Sequence, residues 1–289
     1  MFTALLKTMR PRQWTKNVFI FAALVFDKQF FIAESFLRTL AGFALFCLIS
    51  SSVYIFNDLA DIEADRQHPE KKKRPIPSGK LPVGVAWLAG IILVLITLGP
   101  GYWLSPPFAA VMGAYFIINL AYSKWFKHVP ILDVLIISAG FVLRVAAGVT
   151  LIHVERFSPW LYVVMTLLSL FLGFGKRRAE LSLLAHGAGS HRKVLEGYTV
   201  PLLDQYIMIV SGTTIVAYSL YTFFAPNVPA NHSMMLTIPF VVYAIFRYLY
   251  LIHVEERGGE PEEILLTDRP FQIAMILWAA TVLVAFYFS

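Results

Sequence analysis

Three aspartates, Asp58, Asp61 and Asp65, stand at i, i+3 and i+7, with Asn57 immediately before the first. On a helix that spacing lines the three carboxylates along one face. If the helix ends there, the negative pole of its dipole adds to their mutual repulsion, so the face calls for a counter-charge. A magnesium ion suits it, because magnesium takes a few carboxylates and completes its shell with substrate oxygens. The chain continues through Arg66, Lys71, Lys72, Lys73, Arg74 and Lys80, with prolines at 75 and 77 fixing the backbone after Arg74. Carboxylates for a metal beside cations for the remaining oxygens is what a magnesium-bound polyphosphate requires. Lys71 to Lys73 read equally well as juxtamembrane charge drawn to anionic lipid.

The composition states what must hold this face. Of 289 residues, 58% are hydrophobic and 15% charged, and apolar runs of bilayer-spanning length recur from end to end. They predict an all-α polytopic membrane bundle of nine transmembrane helices, centred on residues 17–35, 38–58, 83–104, 107–123, 131–152, 159–175, 205–225, 234–252 and 270–288. One domain over residues 1–289 is expected, in the membrane and with no nucleic-acid partner. Of the 24 Lys and Arg residues, all but Lys28, Arg38, Arg144, Arg156 and Arg247 fall in the N-terminal arm and the loops after spans two, four, six and eight. By the positive-inside rule the N-terminus and those loops are cytoplasmic and the C-terminus faces out; the expected location is the plasma or inner membrane, with the reaction site open toward the cytoplasm. The basic first sixteen residues lack a small-residue cleavage site, so no signal peptide is expected. The single Cys47 can form no disulfide within the chain, and the seven histidines show no ligand spacing.

Arg144 and Arg247 fall inside spans, where facing lipid would cost each on the order of 3 kcal/mol. Arg144 is expected inside the bundle as a phosphate ligand, whereas Arg247 can snorkel to the boundary. Asp133, at the start of span five, reads as a helix N-cap and is left outside the site.

The run Asn57-Asp58-x-x-Asp61-x-x-x-Asp65, followed by Arg74-Pro75-x-x-Ser78-Gly79 in a chain of this topology, resembles the UbiA superfamily of intramembrane prenyltransferases. The superfamily's second Asp-rich motif, after span six, is missing; Lys176, Arg177, Arg178 and Glu180 stand in its place. That substitution, together with Arg10-Pro11-Arg12-Gln13-Trp14-Thr15-Lys16-Asn17, Tyr122-Ser123 to Lys127-His128, and Glu260-Pro261-Glu262-Glu263 to Asp268-Arg269, resembles the polyprenyl-phosphate phosphoribosyltransferase branch. The resemblance implies transfer of 5-phosphoribose from phosphoribosyl pyrophosphate (PRPP) to a polyprenyl phosphate of decaprenyl type, with Mg2+ as cofactor.

Asp58, Asp61 and Asp65 would hold the metal on the leaving pyrophosphate. Lys16, Asn57, Arg74, Tyr122, Lys127, Arg144, Lys176, Arg177 and Glu180 would contact the substrates. Charge supports the branch: PRPP carries phosphate at both ends and the acceptor brings a third anion, so one acidic site with several basic clusters fits better than two acidic sites. Successive helical residues point about 100° apart, so Lys176, Arg177 and Arg178 cannot all face one ligand. Lys176 with Arg177 or Glu180 is the expected pairing. A conventional UbiA-type prenyltransferase acting on a small acceptor is the alternative, opposed by the missing acidic motif. An anion transporter is a further one, opposed by the magnesium-type aspartate face. Acceptor chain length and oligomeric state, a homo-oligomer included, stay open.

Overall fold

The computed structural model describes residues 1–154, 158–185, 193–226, 228–257 and 261–288. Arg156, His186, His191 and Glu260 lie outside them. Among the described residues every regular element is helical. Seven helical stretches are long and apolar enough to cross a bilayer: α3 (Ala33–Ala60), α5 (Val83–Leu104), α7 (Leu132–Val149), α8 (Pro159–Ala185), α9 (Val200–Phe224), α10 (Ile238–His253, with the 3₁₀ turn Ser233–Thr237 before it) and α12 (Arg269–Tyr287). The chain is a multi-pass membrane protein. The remaining α-helices are α1 (Phe2–Met9), α2 (Ala22–Phe26), α4 (Ile62–Gln67), α6 (Pro106–Lys124) and α11 (Pro261–Thr267). Leu88, Ile91, Ile92 and Leu95 on α5 are all exposed, the uncharged face that hydrocarbon requires.

The first expected crossing, residues 17–35, is not one helix. A 3₁₀ helix over Pro11–Phe21 passes into the short α2, and the chain then turns, with Lys28 left-handed at φ 58°. Polar groups fix that turn: the Gln29 amide donates to Asp27 Oδ2 at 2.7 Å and to the His153 carbonyl at 2.6 Å, and accepts from Ser35 Oγ at 2.6 Å. Asp27 and Lys28, the charged pair within that apolar run, therefore mark a corner.

The chain forms two compact units, one of Met1–Lys127 with Gly140–Glu155, the other of His128–Ala139 with Arg156–Ser289. In the first unit α3 packs on α5, α6, α1 and the 3₁₀ helix. Phe46, Ile49, Val53, Met112, Tyr115 and Leu151 form its buried centre. The 3₁₀ helix lies so close to α7 that a Cβ on Gly148 would overlap the Ile20 carbonyl oxygen. Backbone cannot yield as a side-chain tip can, so Gly148→Ala is expected to destabilise the detergent-solubilised protein by about 2 kcal/mol or more, read as a lowered thermal midpoint.

In the second unit α8 packs along α9, and α10 along α12. Arg247 on α10 bonds Asp268 Oδ2 at 2.7 Å and Glu255 at 3.2 Å, and lies over the Tyr250 ring. Asp268 in turn caps α12, accepting from the Phe271 amide at 2.9 Å. The Arg247 hydrogen bond, aided by that amide, holds the Asp268 carboxyl below the usual carboxylate range. A depressed carboxyl stabilises the fold above its unfolded pKa of about 3.9 and loses that contribution as pH falls through the folded value. Wild type should therefore exceed Asp268→Asn in stability at neutral pH, and the gap should close below about pH 4 in an unfolding series across pH.

Candidate functional site

Asn57 and Asp58 lie on the last turns of α3, Asp61 closes that helix, and Asp65 sits on α4. At 28 residues, α3 is about 42 Å long, more than the roughly 30 Å of a hydrocarbon core. Its acidic end can therefore emerge at the interface. The aspartates do not share one continuous helix as expected: Asp61 adopts φ −101°, ψ 12° and donates its amide to the Asn57 carbonyl, so the chain bends between Asp58 and Asp65.

Cations supply the counter-charge that the aspartates require. Arg74 Nη1 bonds Asp58 Oδ1 at 3.1 Å and Asp65 Oδ2 at 2.7 Å, bridging the two. Lys127 Nζ bonds Asp61 Oδ1 at 2.6 Å. Arg10 Nη2 bonds Asp58 Oδ1 at 2.5 Å, with its guanidinium 4.9 Å from the Tyr54 ring centroid. Arg74 is held extended (φ −63°, ψ 151°), as a residue before proline prefers. The turn after it closes through Ser78 N to Arg74 O and Leu81 N to Pro75 O, with Gly79 at φ +76°. Ile76 and Leu81 anchor that turn in the core at 1% and 0% exposure, burial worth about 2 kcal/mol each. The Pro-x-Pro-Ser-Gly sequence thus becomes a rigid mount for one guanidinium.

The donors present fit magnesium. Asn57 Oδ1 is buried without a hydrogen-bond partner, beside three carboxylates, all hard oxygen ligands. Among the described residues no group of three His, Cys, Asp or Glu side chains is gathered so as to hold a metal ion by itself. Magnesium held by one or two carboxylates, with substrate oxygens completing its shell, needs none.

The other expected residues divide. Tyr122, near the end of α6, and Lys16, on the 3₁₀ helix, are partly buried in the first unit with the aspartates. Arg144, also of that unit, is not among them. Its Nε donates to Asn17 Oδ1 (2.8 Å), Nη1 to the Gly140 carbonyl (2.8 Å) and Nη2 to Tyr115 OH (2.9 Å). Its guanidinium also lies 4.8 Å from the Tyr115 ring centroid and 5.4 Å from that of Phe141. The side chain is inside the bundle as expected, but these partners are neutral and serve to pin the 3₁₀ helix rather than to present a free charge. Asn17 also donates to Cys47 Sγ at 3.2 Å and Ser50 Oγ at 3.3 Å.

In the second unit Lys176 is partly buried. Arg177 turns inward at 1% exposure and pairs through Nε with Asp133 Oδ2 at 2.8 Å, and through Nη1 with Glu180. Asp133 accepts a second bond from Tyr198 OH at 2.7 Å. Burial, with the Asp133 carboxylate beside it, pushes the Tyr198 hydroxyl upward, so it remains a donor. Arg178 bonds Asp204 at 2.7 Å. The basic run after span six therefore spends two of its charges on structure, and Asp133 is the buried counter-ion of Arg177 instead of a simple N-cap.

Arg10 was missed among the site residues. Its signal was the arm's spacing: Arg10, Trp14 and Asn17 meet Asp58, Ser51 and Ser50 with Cys47, descending α3 in order. Arg10 is left-handed at φ 52°, a conformation that costs a non-glycine residue about 1 kcal/mol or more and that collects at functional sites.

Comparison with known proteins gives the chain's relatives. The model of the UbiA prenyltransferase family matches residues 17–264. The chain is 37% identical to the decaprenyl-phosphate phosphoribosyltransferase of Mycolicibacterium smegmatis, across 99% of this chain and 93% of that protein. It is 33% identical to the protein of the same name from Corynebacterium glutamicum, across 98% and 86%. In fold it is similar to a UbiA homolog from Archaeoglobus fulgidus solved bound to GPP and Mg2+, with a TM-score of 0.74, 20% identity, and 98% and 99% of the two chains covered.

Proposed function

Because the chain belongs to the UbiA prenyltransferase family, we propose that its aspartate site serves a diphosphate donor and that the donor is PRPP, whose 5-phosphoribosyl group passes to a polyprenyl phosphate of decaprenyl type. Near full-length similarity to two decaprenyl-phosphate phosphoribosyltransferases supports the donor and acceptor. The observation that carries the chemistry is the mixed character of the site: each of Asp58, Asp61 and Asp65 has a cation bonded to it. Acidic ligands for a metal and basic ligands for phosphate oxygens are thus side by side.

Asp58, Asp61 and Asp65, with Asn57, would hold Mg2+, which when bound supplies Lewis-acid charge to the leaving pyrophosphate. Arg74 and Lys127 take phosphate oxygens, and Lys16 and Tyr122 position the substrates from the same unit. Lys176 is assigned to donor phosphate on the strength of the missing second acidic motif. Arg144 acts through Asn17. The lipid phosphate is already anionic at neutral pH and needs no strong base. Its oxygen forms the new bond to ribose C1 as the C1–pyrophosphate bond breaks, and in-line attack inverts C1. The protein's part is alignment and charge stabilisation.

The reading includes nine crossings in a single UbiA-like domain over residues 1–289, with the N-terminus and the site facing the cytoplasm across the plasma membrane, as the distribution of Lys and Arg supports. Incubating purified protein with PRPP, a polyprenyl phosphate and magnesium, then weighing the lipids by mass spectrometry, tests it. A product heavier by one phosphoribosyl unit and lost with EDTA is expected. Condensation only when a prenyl diphosphate and a small aromatic acceptor are supplied would replace the reading with conventional prenyl transfer.

A further inference from the structure

We propose that Arg10 is an exchangeable clamp: it holds Asp58 until a metal–diphosphate complex arrives, then moves its guanidinium to a diphosphate oxygen as Asp58 turns to the metal. The proposal rests on the diphosphate-donor reading above, but not on the donor's being PRPP.

One carboxylate oxygen, Asp58 Oδ1, accepts from both Arg10 at 2.5 Å and Arg74 at 3.1 Å. Arg74 is mounted on a rigid turn and tied to Asp65 as well, so Asp58 keeps a counter-charge if Arg10 leaves. The two arginines are unequal for that reason: one is a fixture and the other a spare. Arg10 is also placed to move. Its side chain is 30% exposed while that of Asp58 is 2% exposed, so the cation sits at the open side of the pair. The Tyr54 face 4.9 Å away gives the planar guanidinium a surface to slide on. The backbone at Arg10 is the junction of α1 and the 3₁₀ helix, and the arm stays docked beyond it through Trp14 Nε1 to Ser51 Oγ at 3.0 Å and through Asn17. The side chain can change partners without the arm letting go.

The exchange sets an order. A metal approaching alone competes with two guanidiniums for Asp58, whereas a metal carrying a diphosphate offers Arg10 an anion in return. Metal and diphosphate should therefore bind together and strengthen one another.

Manganese binding to the full-length protein in detergent, followed by electron paramagnetic resonance with Mn2+ as the magnesium probe, tests this. In wild type, Mn2+ alone should bind weakly and tighten at least tenfold with inorganic pyrophosphate. Arg10→Gln should bind Mn2+ alone several-fold more tightly and lose most of the pyrophosphate gain. Arg10→Lys, which keeps the charge but not the fork, should fall between, and it carries the test if the glutamine variant does not fold. Unchanged or weaker binding of Mn2+ alone in Arg10→Gln, or an undiminished pyrophosphate gain, overturns the clamp; an arginine that merely tethers the arm would lower both affinities in parallel. Running PRPP and geranyl diphosphate beside pyrophosphate separates the two readings. A wild-type gain with geranyl diphosphate but not with PRPP would remove the phosphoribosyl donor while leaving Arg10 in its role.

Discussion

Asp61→Asn is expected to lower turnover about a hundredfold or more while leaving the fold in place. Asp61 makes its ion pair with Lys127 Nζ, at 2.6 Å, with a side chain 36% exposed. An amide of the same shape keeps an oxygen for the lysine, and the loss of a half-exposed pair costs at most about 1 kcal/mol. What it removes is a full negative charge from the proposed metal ligands. Deleting one preorganised charge-stabilising group from a reaction centre costs on the order of a hundredfold to a thousandfold in kcat. The check is the rate of phosphoribosyl-lipid formation, measured with the thermal midpoint of the same preparation. A drop of less than about threefold with an unchanged midpoint would take Asp61 out of the site.

Arg177→Met should do the opposite, harming the fold first. The pair with Asp133 is buried at 2% and 0% side-chain exposure, and removing one partner leaves Asp133 charged in a protein interior. Such a change costs about 3–5 kcal/mol. The thermal midpoint of Arg177→Met should fall sharply, and the double variant Asp133→Asn with Arg177→Met should recover much of the loss, because the fully buried charge is then gone and Glu180, the other partner of Arg177, is 25% exposed and can be solvated. The opposite result, a stable single variant with a raised KM for PRPP, would return Arg177 to the donor site as the sequence first suggested.

These two residues also show where the sequence was readable and where it was not. The aspartates and Arg74 announce themselves locally: spacing, the dipole argument and the flanking prolines are properties of a dozen neighbouring residues. The membrane-spanning helices are legible for the same reason, since bilayer thickness imposes a run length. Arg177 and Asp133, by contrast, are 44 positions apart in number, and nothing in either neighbourhood says that they will meet. The positive charges after span six looked like ligands because the long-range partner was invisible. Arg144 was placed inside the bundle by its cost in lipid, but the neutral cage of Asn17, Gly140 and Tyr115 depends on a 3₁₀ helix where apolar composition had suggested one continuous α-helix. The bend at Asp61 escaped too, because a run of helix-compatible residues carries no proline or glycine to mark it.

The docking of the arm on α3 leaves the molecule with its own reporter. Cys47 is the one thiol in the chain and is 3% exposed, covered where Asn17 bonds to its sulfur. Lifting the arm removes that cover, so the alkylation rate of unmodified protein by a maleimide should rise as the 3₁₀ helix opens, with no engineered label, and any substrate that tightens the arm should slow it.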